Sequence, residues 1–158
     1  MKADKSLARF RLVFLIVGIL LSNGCGEGHP PTYPVTGQVV FPNGTTLKNG
    51  GQVVFRSTNL TPPVKASGLF GPDGKFELTT FSKNDGAVAA HYQVAVIPNI
   101  PDDSDDQVVS ERAYAEAMEP IDLRFTNSRA SKVEFDVSAD TSPHEFKIEV
   151  TKPRRRRR

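Results

Sequence analysis

The sequence contains a single cysteine, Cys25, and no tryptophan. One cysteine cannot form an internal disulfide, and a chain of 158 residues is long enough to bury a core without one. Aromatic residues make up only 8% of the chain, which argues against a platform for stacking sugars. A Gly-x-Ser-x-Gly motif and a glycine-rich phosphate loop are absent, and the three histidines are scattered. We therefore predict that the protein is not an enzyme and uses no cofactor.

The first 24 residues have the organisation of a secretory signal. Four basic residues precede an apolar stretch: Lys2, Lys5, Arg9 and Arg11. That stretch, residues 12–21 (LVFLIVGILL), would span about 15 Å as a helix, roughly half the hydrocarbon thickness of a bilayer. We predict a signal peptide over residues 1–24. The alternative, a permanent transmembrane anchor, would draw Arg9 and Arg11 into the membrane.

Cys25 follows this stretch within the segment LLSNGCG. The segment resembles the bacterial lipoprotein signal, in which small residues precede a cysteine that is acylated and becomes N-terminal. Gly24 occupies the position before the cysteine, while Ser22 stands where the pattern prefers leucine. The resemblance implies lipidation of Cys25; the alternative is a free thiol. The polar, proline-containing residues 25–32 predict an extended tether.

Residues 33–151 show a period-two alternation of apolar and polar side chains, which is typical of strands in antiparallel sheets. The candidate strands lie at residues 35–41, 53–55, 76–80, 92–96, 121–125, 133–137 and 146–150. Turn dipeptides separate several of them: Asn43-Gly44, Asn49-Gly50, Asp73-Gly74 and Asp85-Gly86. We predict an all-β fold, a sandwich of about seven antiparallel strands. One short surface helix is expected at residues 108–118, before Pro120.

Two segments carry the features of a known family: YPVTGQVVFPNGTTLKNGGQVVFRS and GPDGKFELTTFSKNDGAVAAHYQVAVIP. The matching residues lie in turns and core positions, namely 51–55, 73–76 and 85–87 before Tyr92. These segments resemble the exported domains called carboxypeptidase regulatory-like or transthyretin-like, which are abundant as lipoproteins in planctomycete-type bacteria. The resemblance implies a prealbumin-like (Ig-like) β-sandwich without catalytic machinery. It implies no binding residues, because the matching positions serve folding.

The charges are concentrated at three places. The N-terminus is basic, and residues 152–158 form a basic tail that we expect to be disordered; it ends in Arg154, Arg155, Arg156, Arg157 and Arg158. Between them lies an acidic body, which argues against nucleic acid as a partner. Four carboxylates occur together at Asp102, Asp103, Asp105 and Asp106. They are weak candidates for Ca²⁺ ligands, because no EF-hand glycine accompanies them, and a solvated acidic loop is the simpler interpretation.

The arginine tail is a weak candidate for contact with a polyanion, either anionic lipid or a cell-wall polymer, and it could also fold back on the acidic residues. Taken together, these features predict an exported, lipid-anchored, non-enzymatic β-sandwich of the cell envelope. Its role would be structural or would consist of binding an envelope protein, through exposed strand edges or loops. The alternative is an extracellular module that binds carbohydrate, or Ca²⁺ at the acidic residues.

Overall fold

The computed structural model describes residues 28–99 and 121–153, and the chain there is mostly β-strand. The strands are β1 (Thr32–Tyr33), β2 (Val35–Val40), β3 (Gly51–Ser57), β4 (Lys65–Phe70), β5 (Lys75–Glu77), β6 (Ala87–Val88), β7 (Ala90–Pro98), β8 (Glu134–Val137) and β9 (His144–Glu149). Between β7 and β8 lie a short 3-10 helix (Leu123–Thr126) and a one-turn α-helix, α1 (Ser128–Ser131). The prediction of an all-β fold is confirmed. The predicted helix at 108–118 lies outside the described residues.

Seven strands form one sheet in the order β8-β7-β3-β4-β5-β2-β9, and β1 pairs separately with β6. Neighbouring strands run antiparallel except β2 and β9, which are parallel from Val35 opposite His144 to Val40 opposite Glu149. The sheet is therefore mixed, and the prediction of an entirely antiparallel arrangement is wrong at this pair. Side-chain alternation could not reveal it, because the same pattern arises beside a parallel and an antiparallel neighbour.

The sheet curves until it nearly closes into a barrel, and aromatic side chains join its two outer strands. Phe135 of β8 stacks on Phe146 of β9 with 4.3 Å between ring centroids. Both rings also contact Phe55 of β3, at 6.0 and 6.2 Å. Phe55 is fully buried and additionally contacts Phe76 and Tyr92, at 6.1 and 6.0 Å. This aromatic cluster thus connects strands from both ends of the strand order.

The turn dipeptides act as the sequence predicted. Each of the four glycines has a positive φ: Gly44, Gly50, Gly74 and Gly86. Gly86 is the most constrained, because a Cβ there would overlap the backbone carbonyl of Tyr33. Beside it, the Asp85 carboxylate accepts hydrogen bonds from the backbone N–H groups of Thr80, Phe81 and Ser82 at 2.7, 3.0 and 3.0 Å. Burial opposes the charged form of Asp85, but these donors together outweigh it and lower its pKa.

The candidate strand at residues 121–125 is wrong. Asp122 instead caps the 3-10 helix by accepting a hydrogen bond from the N–H of Arg124 at 3.0 Å. Ile121 and Phe125 are buried as the alternation suggested, but Leu123 is 63% exposed. Ile121 lies before the cap and Phe125 lies within the 3-10 helix, so two of the three apolar positions are buried without a strand. Strand β4 was not predicted, because Ala66 and Gly68 occupy inward positions that a larger apolar residue would have marked.

Replacement of Phe55 tests the importance of the aromatic cluster. We expect Phe55→Ala to lower the free energy of unfolding by about 3–5 kcal/mol, because it leaves a cavity among four aromatic rings. Leu69→Ala is the control, since Leu69 is 77% exposed and its loss should change stability by less than about 0.5 kcal/mol. Urea denaturation of both variants measures the difference; equal losses would contradict the assigned role of Phe55.

Candidate functional site

The residues singled out from the sequence lie outside the described residues. This applies to the lipidation candidate Cys25, to the carboxylates Asp102, Asp103, Asp105 and Asp106, and to the tail residues Arg154, Arg155, Arg156, Arg157 and Arg158. Their assignments stay predictions. Within residues 28–99 and 121–153, no group of three or more histidine, cysteine or acidic side chains is arranged to hold a metal ion. The same ranges contain no helix that is long and apolar enough to span a bilayer.

The flanking residues nevertheless show where these segments join the domain. The chain enters the domain at β1 and β2. Because β9 runs parallel to β2, β9 ends at the opposite end of the domain, where the N–H of Val150 donates to the carbonyl of Val40 at 2.9 Å. The N–H of Asp122 donates to the carbonyl of Thr151 at that same end, at 2.8 Å. Asp122 and Thr151 therefore lie at the end of the domain that is remote from β1.

One histidine among the described residues, His91, lies between the carboxylates of Asp136 and Glu134. His91 of β7 and Asp136 of β8 are register partners, and their Nδ1 and Oδ1 atoms lie 2.7 Å apart. The Nε2 atom of His91 lies 3.5 Å from Oε2 of Glu134. The backbone N–H of His91 donates to Oδ1 of Asn59 at 3.0 Å, which fixes this strand end against the β3–β4 connection. The hydrogen bond to Asp136 is the main reason that the pKa of His91 is raised.

This cluster is poorly suited to catalysis or metal binding. Both ring nitrogens of His91 face a carboxylate, so neither is available to accept a proton from a nucleophile. The raised pKa also favours the protonated ring, which cannot act as a base or a metal ligand. The two carboxylates lie on different sides of the ring and do not converge. The arrangement instead joins β8 to the rest of the sheet through an exposed ion pair.

The outward face of the sheet forms two grooves. The first, of about 870 Å³, lies over β2, β4 and β5 and has a mixed lining that includes Gln38, Lys75, Glu77 and Glu145. The second, of about 630 Å³, lies over β3 and β7 and is bordered by α1. We call the second the basic groove; it is lined by Val54, Arg56, Pro63, Lys65, Ala95, Ile97, Thr126, Asn127, Ser128 and Arg129.

The basic groove was not predicted as a site from the sequence. Arg56, Lys65 and Arg129 come from three separate elements, and each is the single charged residue of its element. Only the register of β3 with β4, which places Arg56 directly opposite Lys65, brings the first two together. Recognition of β4 as a strand would have been needed to find this pair.

The edges of the sheet are less suitable for partner binding than the sequence suggested. The outer strand β8 has only four residues and presents Glu134 and Asp136, while β9 presents Glu145, Lys147 and Glu149. Short strands with charged side chains disfavour the addition of another strand. The two outer strands also approach each other through Phe135 and Phe146. The grooves on the outward face are therefore the better candidate surface.

Comparisons with known proteins leave the family open. The sequence matches no protein-family model, and no curated protein matches it. Among solved structures, a 9R-lipoxygenase from Cyanothece PCC8801 is similar at 14% identity with a TM-score of 0.40. The match covers 90% of this chain and 20% of the lipoxygenase chain. The resemblance to transthyretin-like domains accordingly stays a prediction.

The pH dependence of stability tests the His91 cluster. Because the pKa of His91 is raised above its ordinary value of 6.5, its contribution should be complete below pH 6.5 and disappear as the pH rises through the folded-state pKa. We expect the stability difference between the wild type and His91→Gln to shrink as the pH rises over that interval. The whole effect should be smaller at high salt, because the ion pair is exposed.

The measurement is urea denaturation at several pH values, with the pKa of His91 followed by NMR. Asp136→Asn removes the main cause of the shift and should return the pKa of His91 towards 6.5. An unchanged histidine titration in Asp136→Asn would show that the contact does not determine the shift.

Proposed function

We propose that this protein is an exported, lipid-anchored, non-enzymatic β-domain of the cell envelope that binds a partner protein through the outward face of its sheet. The observation that most supports the anchor is the position of Cys25, directly after a short apolar stretch and close to the first strand. Residues 26–31 separate Cys25 from β1 and reach at most about 25 Å when extended. The domain would thus be held close to the lipid surface, with its outward face accessible.

The finer architecture belongs to the same proposal. The resemblance implies a prealbumin-like sandwich, in which the curved sheet is treated as two packed layers. The contacts of Phe55 with Phe135 and Phe146 favour this interpretation, since they bring the strands at opposite ends of the order against one common core. Two packed layers also explain why Val53, Phe55 and Val94 are completely buried on the inward side.

The proposal that the domain is non-enzymatic is supported by the chemistry of His91. Its two ring nitrogens face carboxylates at 2.7 and 3.5 Å, so neither nitrogen is available to act as a general base. The opposite placement of the two chain ends supports a role as a spacer. Because β1 and Thr151 lie at opposite ends of the domain, a membrane anchor before β1 and a contact with a cell-wall polymer or envelope protein after Thr151 would act at opposite ends.

Intact mass of the membrane-extracted protein tests the anchor. We expect the wild type, expressed in a bacterial host, to begin at Cys25 and to have the added mass of acyl chains. Cys25→Ser should lack this mass because it removes the acceptor thiol. Ser22→Ala is the matched control, because it changes a neighbouring residue and keeps both a small side chain and Cys25.

Two results would contradict the proposal. A native polypeptide that still begins at Met1 would exclude processing at Cys25. Recovery of the wild type chiefly from the cytosol would exclude export.

A further inference from the structure

Among the described residues, the lining of the basic groove contains three cationic side chains and no carboxylate. The cations are Arg56 of β3, Lys65 of β4 and Arg129 of α1, and the other described lining residues are neutral. All three are exposed at the surface. The groove is concave and has a volume of about 630 Å³, which is in the range of sites that enclose part of a ligand. A concave surface with charges of one sign attracts groups of the opposite sign.

Arg56 and Lys65 form a pair that the fold alone would disfavour. They are direct register partners of β3 and β4, and like charges placed opposite each other in an antiparallel pair are destabilising. Neutral residues at either position would remove this repulsion without disturbing the inward core. A bound anion would remove it equally, because it would neutralise both side chains at once.

The nearest carboxylate in the same row of the sheet is bound to other residues. Gln93 lies in register between Arg56 and Glu134. The Nε2 of Gln93 donates to Oε1 of Glu134 at 3.1 Å, and His91 faces the other oxygen at 3.5 Å. Glu134 is thereby directed to the β7–β8 side. Within residues 28–99 and 121–153, none of the three cations of the groove forms an ion pair.

The floor of the groove limits the kind of anion. It is aliphatic, formed by Val54, Ala95 and Ile97, and Ile97 is 38% exposed. A small inorganic anion would leave this apolar surface in water, which gains nothing. An anionic sugar polymer would lack an aromatic ring to stack on, since none of the described residues that line the groove is aromatic. A polypeptide with both carboxylates and aliphatic side chains could pair with the three cations and also cover the aliphatic floor.

We propose that the basic groove binds an acidic polypeptide segment of a partner protein. Carboxylates of the segment pair with Arg56, Lys65 and Arg129, and its aliphatic side chains lie on Val54 and Ile97. The arginines favour carboxylates because the planar guanidinium can donate two parallel hydrogen bonds to one group. This inference names the partner class for the outward face and rests on the interaction role proposed above.

Binding of a labelled peptide to the full-length chain tests the inference. The probe is a fluorescein-labelled octapeptide of alternating Glu and Val, and the same peptide with Gln in place of Glu is the neutral reference. At low ionic strength we expect Lys65→Gln and Arg129→Gln each to weaken binding about tenfold, the effect of one charge-assisted hydrogen bond. Binding should also weaken as salt is added, because the contacts are exposed.

Lys147→Gln is the matched control. Lys147 is likewise an exposed strand lysine, but it lies on β9 between Glu145 and Glu149, outside the groove. We expect its replacement to change peptide binding less than about twofold, since long-range charge effects are screened. The melting temperature separates binding from folding: Lys65→Gln should raise it at low salt by removing the repulsion with Arg56, whereas Lys147→Gln should not.

Four results would overturn the inference. Equal loss of binding in Lys147→Gln and Lys65→Gln would show a general charge effect. Equal binding of the Gln–Val peptide would show that the carboxylates of the probe are not recognised. Tighter binding of polyphosphate or dextran sulfate than of the Glu–Val peptide would assign the groove to another class of polyanion. A large gain in peptide affinity on changing Asp102, Asp103, Asp105 and Asp106 to Asn would show that the chain's own acidic residues occupy the groove.

The outcome is separable from that of the anchor experiment. An acylated chain that fails to bind the peptide would overturn the groove assignment alone. A chain that binds the peptide but begins at Met1 would leave the groove assignment intact and overturn the proposed anchor.

Discussion

The contact of Phe55 with four other aromatic rings is the interaction on which the rest of the structure depends. The curved sheet has no backbone pairing between β8 and β9 among the described residues, so side chains must hold its two outer strands together. The stack of Phe135 on Phe146, supported from below by Phe55, provides that connection. Without it, the inward faces of the outer strands would lose their packing partner, and the remaining described link between them would be the ring of His144, whose Nε2 lies 2.9 Å from the carbonyl oxygen of Ser138, directly after β8.

Closure by side chains has a direct effect on how the molecule can meet others. Because the outer strands approach each other and present charged residues, the sheet offers little opportunity for strand addition. On the outward face, by contrast, residues from separate elements line common grooves. Arg56 and Lys65 are adjacent only because of the β3–β4 register, and Gln93 keeps Glu134 away from them. The same hydrogen-bonded framework therefore stabilises the fold and, within residues 28–99 and 121–153, leaves the cations of the basic groove without an ion-pair partner.

Much of the fold, but little of the candidate surface, could be predicted from the sequence. Alternation located β2, β3, β7, β8 and β9, and the glycine turns were placed correctly, because both depend on local geometry. Strand β4 was missed since Ala66 and Gly68 give a weak apolar pattern. Residues 121–125 were misassigned because Ile121 and Phe125 are buried on either side of the start of a 3-10 helix, which leaves Leu123 exposed. The basic groove depends on which strands are neighbours, and the direction of β9 depends on the long-range path of the chain. Local patterns contain neither kind of information.

The parallel pairing of β2 with β9 has a mechanical consequence. A force that pulls the two termini apart would draw β2 and β9 along their own axes in opposite directions, which is a shearing geometry. The ladder between Val35–His144 and Val40–Glu149 would then have to yield as a unit, because its hydrogen bonds share the tension and cannot open one after another. A domain attached at both ends would therefore resist a stretching force that acts along the line between its two attachments.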